Sequence, residues 1–119
     1  IELNLNDSKA YHNRGLSKYN LGDYRGAIQD YNKAIELNLN DSKAYHNRGL
    51  SKANLGDYRG SIQDYNKVIE LNPNKSKAYY NRGLSKDNLG DKNGACLDWS
   101  KAGELGYYEA YDLIKKYCN

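Results

Sequence analysis

The sequence predicts an all-α solenoid, a row of antiparallel helix hairpins stacked side by side. Three observations carry that reading. Residues 7–40 and 41–74 align at a shift of 34 positions and differ only at Tyr19/Ala53, Ala27/Ser61, Ala34/Val68 and Leu39/Pro73. Each copy holds two helix-compatible runs separated by Gly-Asp, a helix stop followed by an N-cap residue. Apolar bulk is scarce: 39% of the 119 residues are hydrophobic, with 13 Tyr, one Trp and no Phe, so a thin layer suits the chain better than a thick core.

The elements follow in order. Residues 1–6 (IELNLN) repeat residues 35–40, so the chain begins inside the tail of a preceding copy. With no Met and Ile1 at its start, it reads as an excised or processed piece. Residues 7–40 are the first repeat, 41–74 the second and 75–108 a third, more drifted one. In the second copy the first helix is expected over 42–55. The second is expected over 58–71, where Ser61, Ile62, Tyr65, Val68 and Ile69 recur at steps of three and four and form one apolar stripe. Asn72-Pro73-Asn74 closes it. Asp7 and Asp41 are placed to cap the first helices, and Asp23, Asp57 and Asp91 the second, each cap worth ~1 kcal/mol.

Overlapping the end of the third repeat, residues 107–118 predict one more helix. Ala110, Leu113, Ile114 and Tyr117 fall on one side of it, and Glu109, Asp112, Lys115 and Lys116 on the other. A stack of hairpins exposes an apolar face at each end and needs such a polar-backed lid. The opposite end has none, so Ile1, Leu3 and the outer side of the first hairpin are expected to be sticky and to favour self-association.

Within each hairpin, Gly15, Gly49 and Gly83 are expected to face Ala27, Ser61 and Ala95, because paired helices approach closely where side chains are small. Arg48 lies about as far before the hairpin turn as Asp64 lies after it, which sets the two level; Arg14/Asp30 and Arg82/Asp98 repeat the arrangement. These charges are either solvated surface groups or a half-buried pair inside each hairpin.

These residues resemble the tetratricopeptide repeat family, whose pattern is an aromatic, Leu-Gly, Tyr, then Ala, an aromatic and Pro. The resemblance spans residues 1–108. It falls on Tyr11, Gly15, Ala27 and Tyr31 in the first copy and on Tyr45, Arg48-Gly49, Lys52, Ser61, Tyr65 and Pro73 in the second. In the third it falls on Tyr79, Gly83, Ala95 and Trp99. Arg stands where the pattern has Leu, Lys where it has Tyr, and Leu39 and Tyr107 where it has Pro. The resemblance implies a right-handed superhelix whose first helices line a concave groove that holds a peptide.

Chemistry finds little purchase. Neither Cys96 nor Cys118 has a second Cys or a His at ligand spacing, so no zinc site is expected. The two Cys can lie side by side between the last hairpin and the lid, as a disulfide or as two buried free thiols. His12 and His46 occupy equivalent places on adjacent first helices, roughly 10 Å apart by helix-packing geometry and too far to share one metal. Ser17, Ser51 and Ser85 lack an oxyanion loop, and the Gly residues lack a phosphate-cradling spacing. No enzyme, no metal and no cofactor are expected. Charges of both signs are mixed along the chain to a net +3, which offers no basic stripe for nucleic acid. There is no apolar run of the ~18 residues a membrane span requires. Nothing names a cellular location; the cytoplasm is the preferred reading.

What remains is a surface. Opposite the packing stripe, the first helices carry Lys9, His12, Asn13, Leu16, Tyr19 and Asn20, then Lys43, His46, Asn47, Leu50, Ala53 and Asn54. The third set is Lys77, Tyr80, Asn81, Leu84, Asp87 and Asn88. The Asn rungs offer donors and acceptors to a peptide backbone, the Lys rungs favour carboxylate, and the Leu rungs form an apolar strip. The expected function is a non-enzymatic protein-interaction scaffold binding a protein or peptide segment. The alternatives are a self-associating repeat array and, less favoured, an RNA-binding helical repeat, whose base-reading residues vary between units where these rungs barely do. One subset of the family clamps the C-terminal carboxylate of cytosolic heat-shock chaperones. Asn47 and Lys77 match two of its places, whereas His12, Leu16 and Asn81 stand where Lys, Asn and Arg are expected.

Overall fold

The computed structural model describes residues 6–119, and among them it contains seven helices and no strand. They are α1 (Ser8–Asn20), α2 (Tyr24–Leu37), α3 (Ser42–Asn54), α4 (Tyr58–Leu71), α5 (Ser76–Asn88), α6 (Lys92–Glu104) and α7 (Glu109–Tyr117). Ile1 and Leu3 of the expected sticky end lie outside the described residues, as does the 1–6 tail except Asn6.

Gly22, Gly56 and Gly90 take φ of 82°, 83° and 88°, the left-handed region that only Gly enters without strain. Each therefore stops a first helix and turns the chain back. The next residue, Asp23, Asp57 or Asp91, closes the turn on the Lys18, Lys52 or Lys86 carbonyl at 2.8, 2.8 and 2.9 Å. Its side chain then caps the second helix by accepting from the backbone N–H of Gly26, Gly60 or Gly94 at 3.0, 2.9 and 2.9 Å. Asp7 and Asp41 cap α1 and α3 in the same way. At α5 the cap position is Lys75, and no side chain caps the helix. The first helices end one residue before the expected limit, with Leu21, Leu55 and Leu89 as C-caps. Helix α7 is shorter than 107–118, because Gly106 at φ 104° puts Tyr107 and Tyr108 in the turn.

Helices pair as α1/α2, α3/α4 and α5/α6, and each hairpin packs on the next through α2·α3, α4·α5 and finally α6·α7. Contacts run between helices one or two places apart along the chain, so the hairpins form a row, an α-solenoid of antiparallel hairpins 52 × 25 × 20 Å in extent. Its radius of gyration is 14.8 Å, against roughly 13.5 Å for a compact domain of this length.

Tyr31, Tyr65 and Trp99, one per second helix, are the largest fully buried side chains among the described residues. A Cβ at Gly15 would lie 2.7 Å from the Tyr31 ring, at Gly49 2.8 Å from Tyr65 and at Gly83 2.6 Å from the Trp99 indole. The small residues thus make room for rings, which hold the nearest atoms at Gly15 and Gly49, while at Gly83 the carbonyl of the expected partner Ala95 also lies 3.2 Å away. Ser61, fully buried, instead shares a 2.7 Å hydrogen bond with Ser85 on the following hairpin.

Each hairpin is also tied by an ion pair. Arg48 Nε and Nη2 donate to Asp64 at 2.9 and 2.6 Å, with Lys52 Nζ 3.3 Å from the same carboxylate. Arg14/Asp30 and Arg82/Asp98 repeat this fork. The Asp side chains are 4–6% exposed, so the half-buried alternative describes them. Burial pushes the Asp30 carboxyl up, but hydrogen bonds from Arg14 and Lys18 outweigh it and hold it below its ordinary value.

At the far end Cys96 and Cys118 are joined in a disulfide, fastening α7 to α6. The lid turns Ala110 fully inward, with Leu113 and Ile114 packed behind it. Tyr117 departs from the expected stripe: it is 42% exposed, between Trp99 and the ammonium groups of Lys92 and Lys116.

Candidate functional site

Because each second helix packs behind its own first helix and against the next, α1, α3 and α5 are left side by side on one wall. That wall bounds a groove of about 1170 Å³. Ten of the residues singled out from the sequence line it: Lys9, His12, Asn13 and Leu16 from α1, Lys43, His46, Asn47 and Leu50 from α3, and Lys77 and Asn81 from α5. Leu84 lines a smaller neighbouring hollow of about 230 Å³ that shares Leu50 and Asn81 with the first. Tyr80 is a correction. It lines neither, because its ring packs 4.7 Å from Tyr107, in the apolar cluster under the lid. Tyr107 reaches the groove in its place.

The rungs are tied to one another rather than standing free. The Asn47 amide lies 3.3 Å from His12 Nε2, and the Asn81 amide 3.3 Å from His46 Nε2. Lower down, Asn54 donates to the Tyr19 hydroxyl at 3.3 Å and to the Leu50 carbonyl at 2.9 Å. These contacts preset the side chains on the wall and engage part of the donor capacity expected to be open. Behind them, His12 meets the Tyr31 ring edge-on at 5.7 Å and His46 the Tyr65 ring at 5.5 Å. Burial pushes the Tyr31 hydroxyl up to about 12.

The two His differ in their second nitrogen. His12 Nδ1 faces the Asp41 carboxylate at 3.6 Å. His46 Nδ1 is buried without a hydrogen-bond partner, since the position equivalent to Asp41 is Lys75. Burial, and then the positive charges of Lys75 and Lys77, lower the His46 imidazole to about 4.

The sequence reading passed over Asp7, Asp41 and Lys75 as groove residues, treating the two Asp only as helix caps. The repeat period contained the signal: all three are one position in successive copies, directly ahead of the first helices. Asn38, Asn72 and Val68 also line the groove. They belong to second helices and the turns after them, and the helical wheel of a first helix says nothing about these. Among the described residues no three His, Cys, Asp or Glu stand where they could hold a metal ion, and no helix is long and apolar enough to cross a membrane.

The tetratricopeptide repeat family matches residues 8–41 and 42–75, and again residues 64–96. The chain belongs to that family. Tetratricopeptide repeat domains are protein-interaction modules, and nothing in this one shows catalysis. Compared with curated protein sequences, the chain has no match. Among solved structures it is similar to MamA, at 27% identity and a TM-score of 0.84 over 91% of this chain. It spans 63% of that MamA chain. It is similar to the second tetratricopeptide domain of Spaghetti (RPAP3) bound to the HSP90 peptide SRMEEVD, at 26% identity and a TM-score of 0.80, covering 82% of this chain and 91% of that one. The Arabidopsis OM64 tetratricopeptide domain shares the fold, with a TM-score of 0.86 and 24% identity over 92% of this chain and 94% of that one.

Proposed function

We propose that the chain is a non-enzymatic scaffold that holds a peptide segment of a partner protein in the groove along α1, α3 and α5. The observation that carries this is the groove itself. Lys9, Lys43 and Lys77, Asn13, Asn47 and Asn81, and Leu16 and Leu50 line it at one-repeat intervals, each offering a partner the same contact again. Single contacts of this kind are weak, and several in register add by effective concentration. The peptide held by the similar Spaghetti domain supports the reading. The chaperone-type carboxylate clamp is not part of it, given His12, Leu16 and Asn81 in three of its five places.

The test is selection of a displayed random-peptide library on the chain. Selected peptides should bind the parent protein, lose most of their affinity to Lys43→Ala with Leu50→Ala, and keep it with Gln63→Ala on the exposed face of α4. Equal binding to all three proteins would remove the assignment.

A second reading, self-association through the α1 end, is favoured by the greater exposure, among the described residues, of side chains on the first hairpin than of their equivalents on the second. The Arg14 side chain is 48% exposed where Arg48 is 18%, and Leu21 is 85% exposed where Leu55 is 40%. Sedimentation across a concentration series tests it, with a constant monomer mass at high concentration as the contrary result.

A further inference from the structure

The two nearly identical repeats hold a comparison within one molecule. At His12 both ring nitrogens face a polar group: Nε2 meets the Asn47 amide at 3.3 Å and Nδ1 faces the Asp41 carboxylate at 3.6 Å, an ion-pair distance. At His46, one repeat on, Nε2 meets the Asn81 amide in the same way, but Nδ1 is orphaned and Lys75 replaces the acid. If Asn81 donates to Nε2, the neutral ring carries its proton on Nδ1 and presents an unused donor. A buried donor without an acceptor is unfavourable, so an arriving acceptor would recover that loss. Around the ring stand Lys75 and Lys77 at the start of α5, Tyr65 from α4 and Asn81 from α5. Among the described residues no carboxylate pairs with it.

We infer that His46, Lys75 and Lys77 form a carboxylate subsite of the groove, where a carboxyl group of the partner takes the place that Asp41 takes beside His12. The inference rests on the peptide-binding reading and adds the chemistry of one ligand group. His46, Lys75 and Lys77 all line the groove, and both Lys side chains are exposed. The flexible stem of Lys75 can therefore swing clear and place its ammonium against the incoming anion. A side-chain carboxylate and a peptide C-terminus share this chemistry.

The test uses three small probes and the His46 ring signals in NMR. N-acetylaspartate with its terminus blocked as the methylamide supplies a side-chain carboxylate, N-acetylalanine supplies a terminal one, and N-acetylasparagine methylamide supplies neither. The acids should shift the His46 signals saturably and move its titration upward from near 4, because the bound anion favours the imidazolium. The stronger of the two acids names the source. Lys75→Asp fills the site from within: it should raise the His46 titration with no probe present and weaken the acids about tenfold or more. Lys75→Gln, which removes one of the charges that lower the ring but supplies no carboxylate, should raise the His46 titration only slightly, because burial is the larger cause. Three results would each overturn the subsite: no saturable shift with either acid, equal shifts with the asparagine probe, or Lys75→Asp behaving like Lys75→Gln. If library peptides fail to bind while the acids still move His46, the groove reading falls and the subsite stands. Tight peptide binding with a silent His46 means the reverse.

Discussion

The three Arg–Asp forks allow one perturbation to be measured in two settings. Arg48→Met keeps most of the side chain's length but removes its fork from Asp64, leaving a carboxylate 4% exposed with Lys52 as its remaining cation. Hydrogen bonds to charged groups contribute about 1.5–3 kcal/mol, and a buried acceptor that loses a partner lies at the upper end of that range. Arg48 Nη1 also donates to Asn32 Oδ1 of the preceding hairpin at 2.9 Å, which adds about 1 kcal/mol. The expected loss is therefore about 4 kcal/mol. Arg14→Met removes the same fork from Asp30, but the Arg14 side chain is 48% exposed, so water reaches the vacated place. Its loss should be about 1–2 kcal/mol, since water then replaces part of what was lost. The assay is urea denaturation followed by circular dichroism at neutral pH, with m-values compared first because repeat arrays depart easily from two-state behaviour. Equal losses at the two sites would refute the argument from burial. Losses below about 0.5 kcal/mol at both would return the pairs to the class of solvated surface charges.

Other outcomes follow from single features. Gly49→Ala gains about 1 kcal/mol of helix propensity but sets a Cβ 2.8 Å from a fully buried Tyr65 ring. Overpacking of this kind costs about 1–3 kcal/mol, so the variant should melt lower than the parent; a rise in melting temperature would contradict the packing. Reduction of the Cys96–Cys118 bond opens a loop spanning 22 residues, and stability should fall by about 3 kcal/mol, read by denaturation with and without reductant. The pH dependence has one sign. His46 is lowered from 6.5 to about 4 in the fold, so the unfolded chain binds more protons in that interval and stability falls as pH drops through it. Asp30, also lowered, loses its contribution as pH falls through its folded value. Denaturation midpoints should decline below pH 6.5, and His46→Asn should flatten the upper part of that decline; an unchanged slope would remove His46 as its source.

The hairpins were legible because their determinants are local. Gly56-Asp57 stops one helix and caps the next within two residues. The shift of 34 then requires every copy to fold alike, and stacking follows because no single hairpin can hide its apolar side. The groove residues Lys43, His46, Asn47 and Leu50 were readable for the same reason, since one face of a helix is a matter of angular spacing alone. Tyr80 was misread because its rung ends under the lid, where Tyr107 offers a ring to pack on, and the period of the repeat does not describe the last unit. Likewise the facing of Gly49 by Tyr65, the bond between Cys96 and Cys118, and the tie from Asn81 to His46 depend on how two helices rotate against each other. Spacing along the chain determines which faces exist, whereas side-chain volume in three dimensions decides what each face meets. The empty side of His46 is a product of both: a single Lys for Asp in the repeat, and a packing that buries the nitrogen left without its acid.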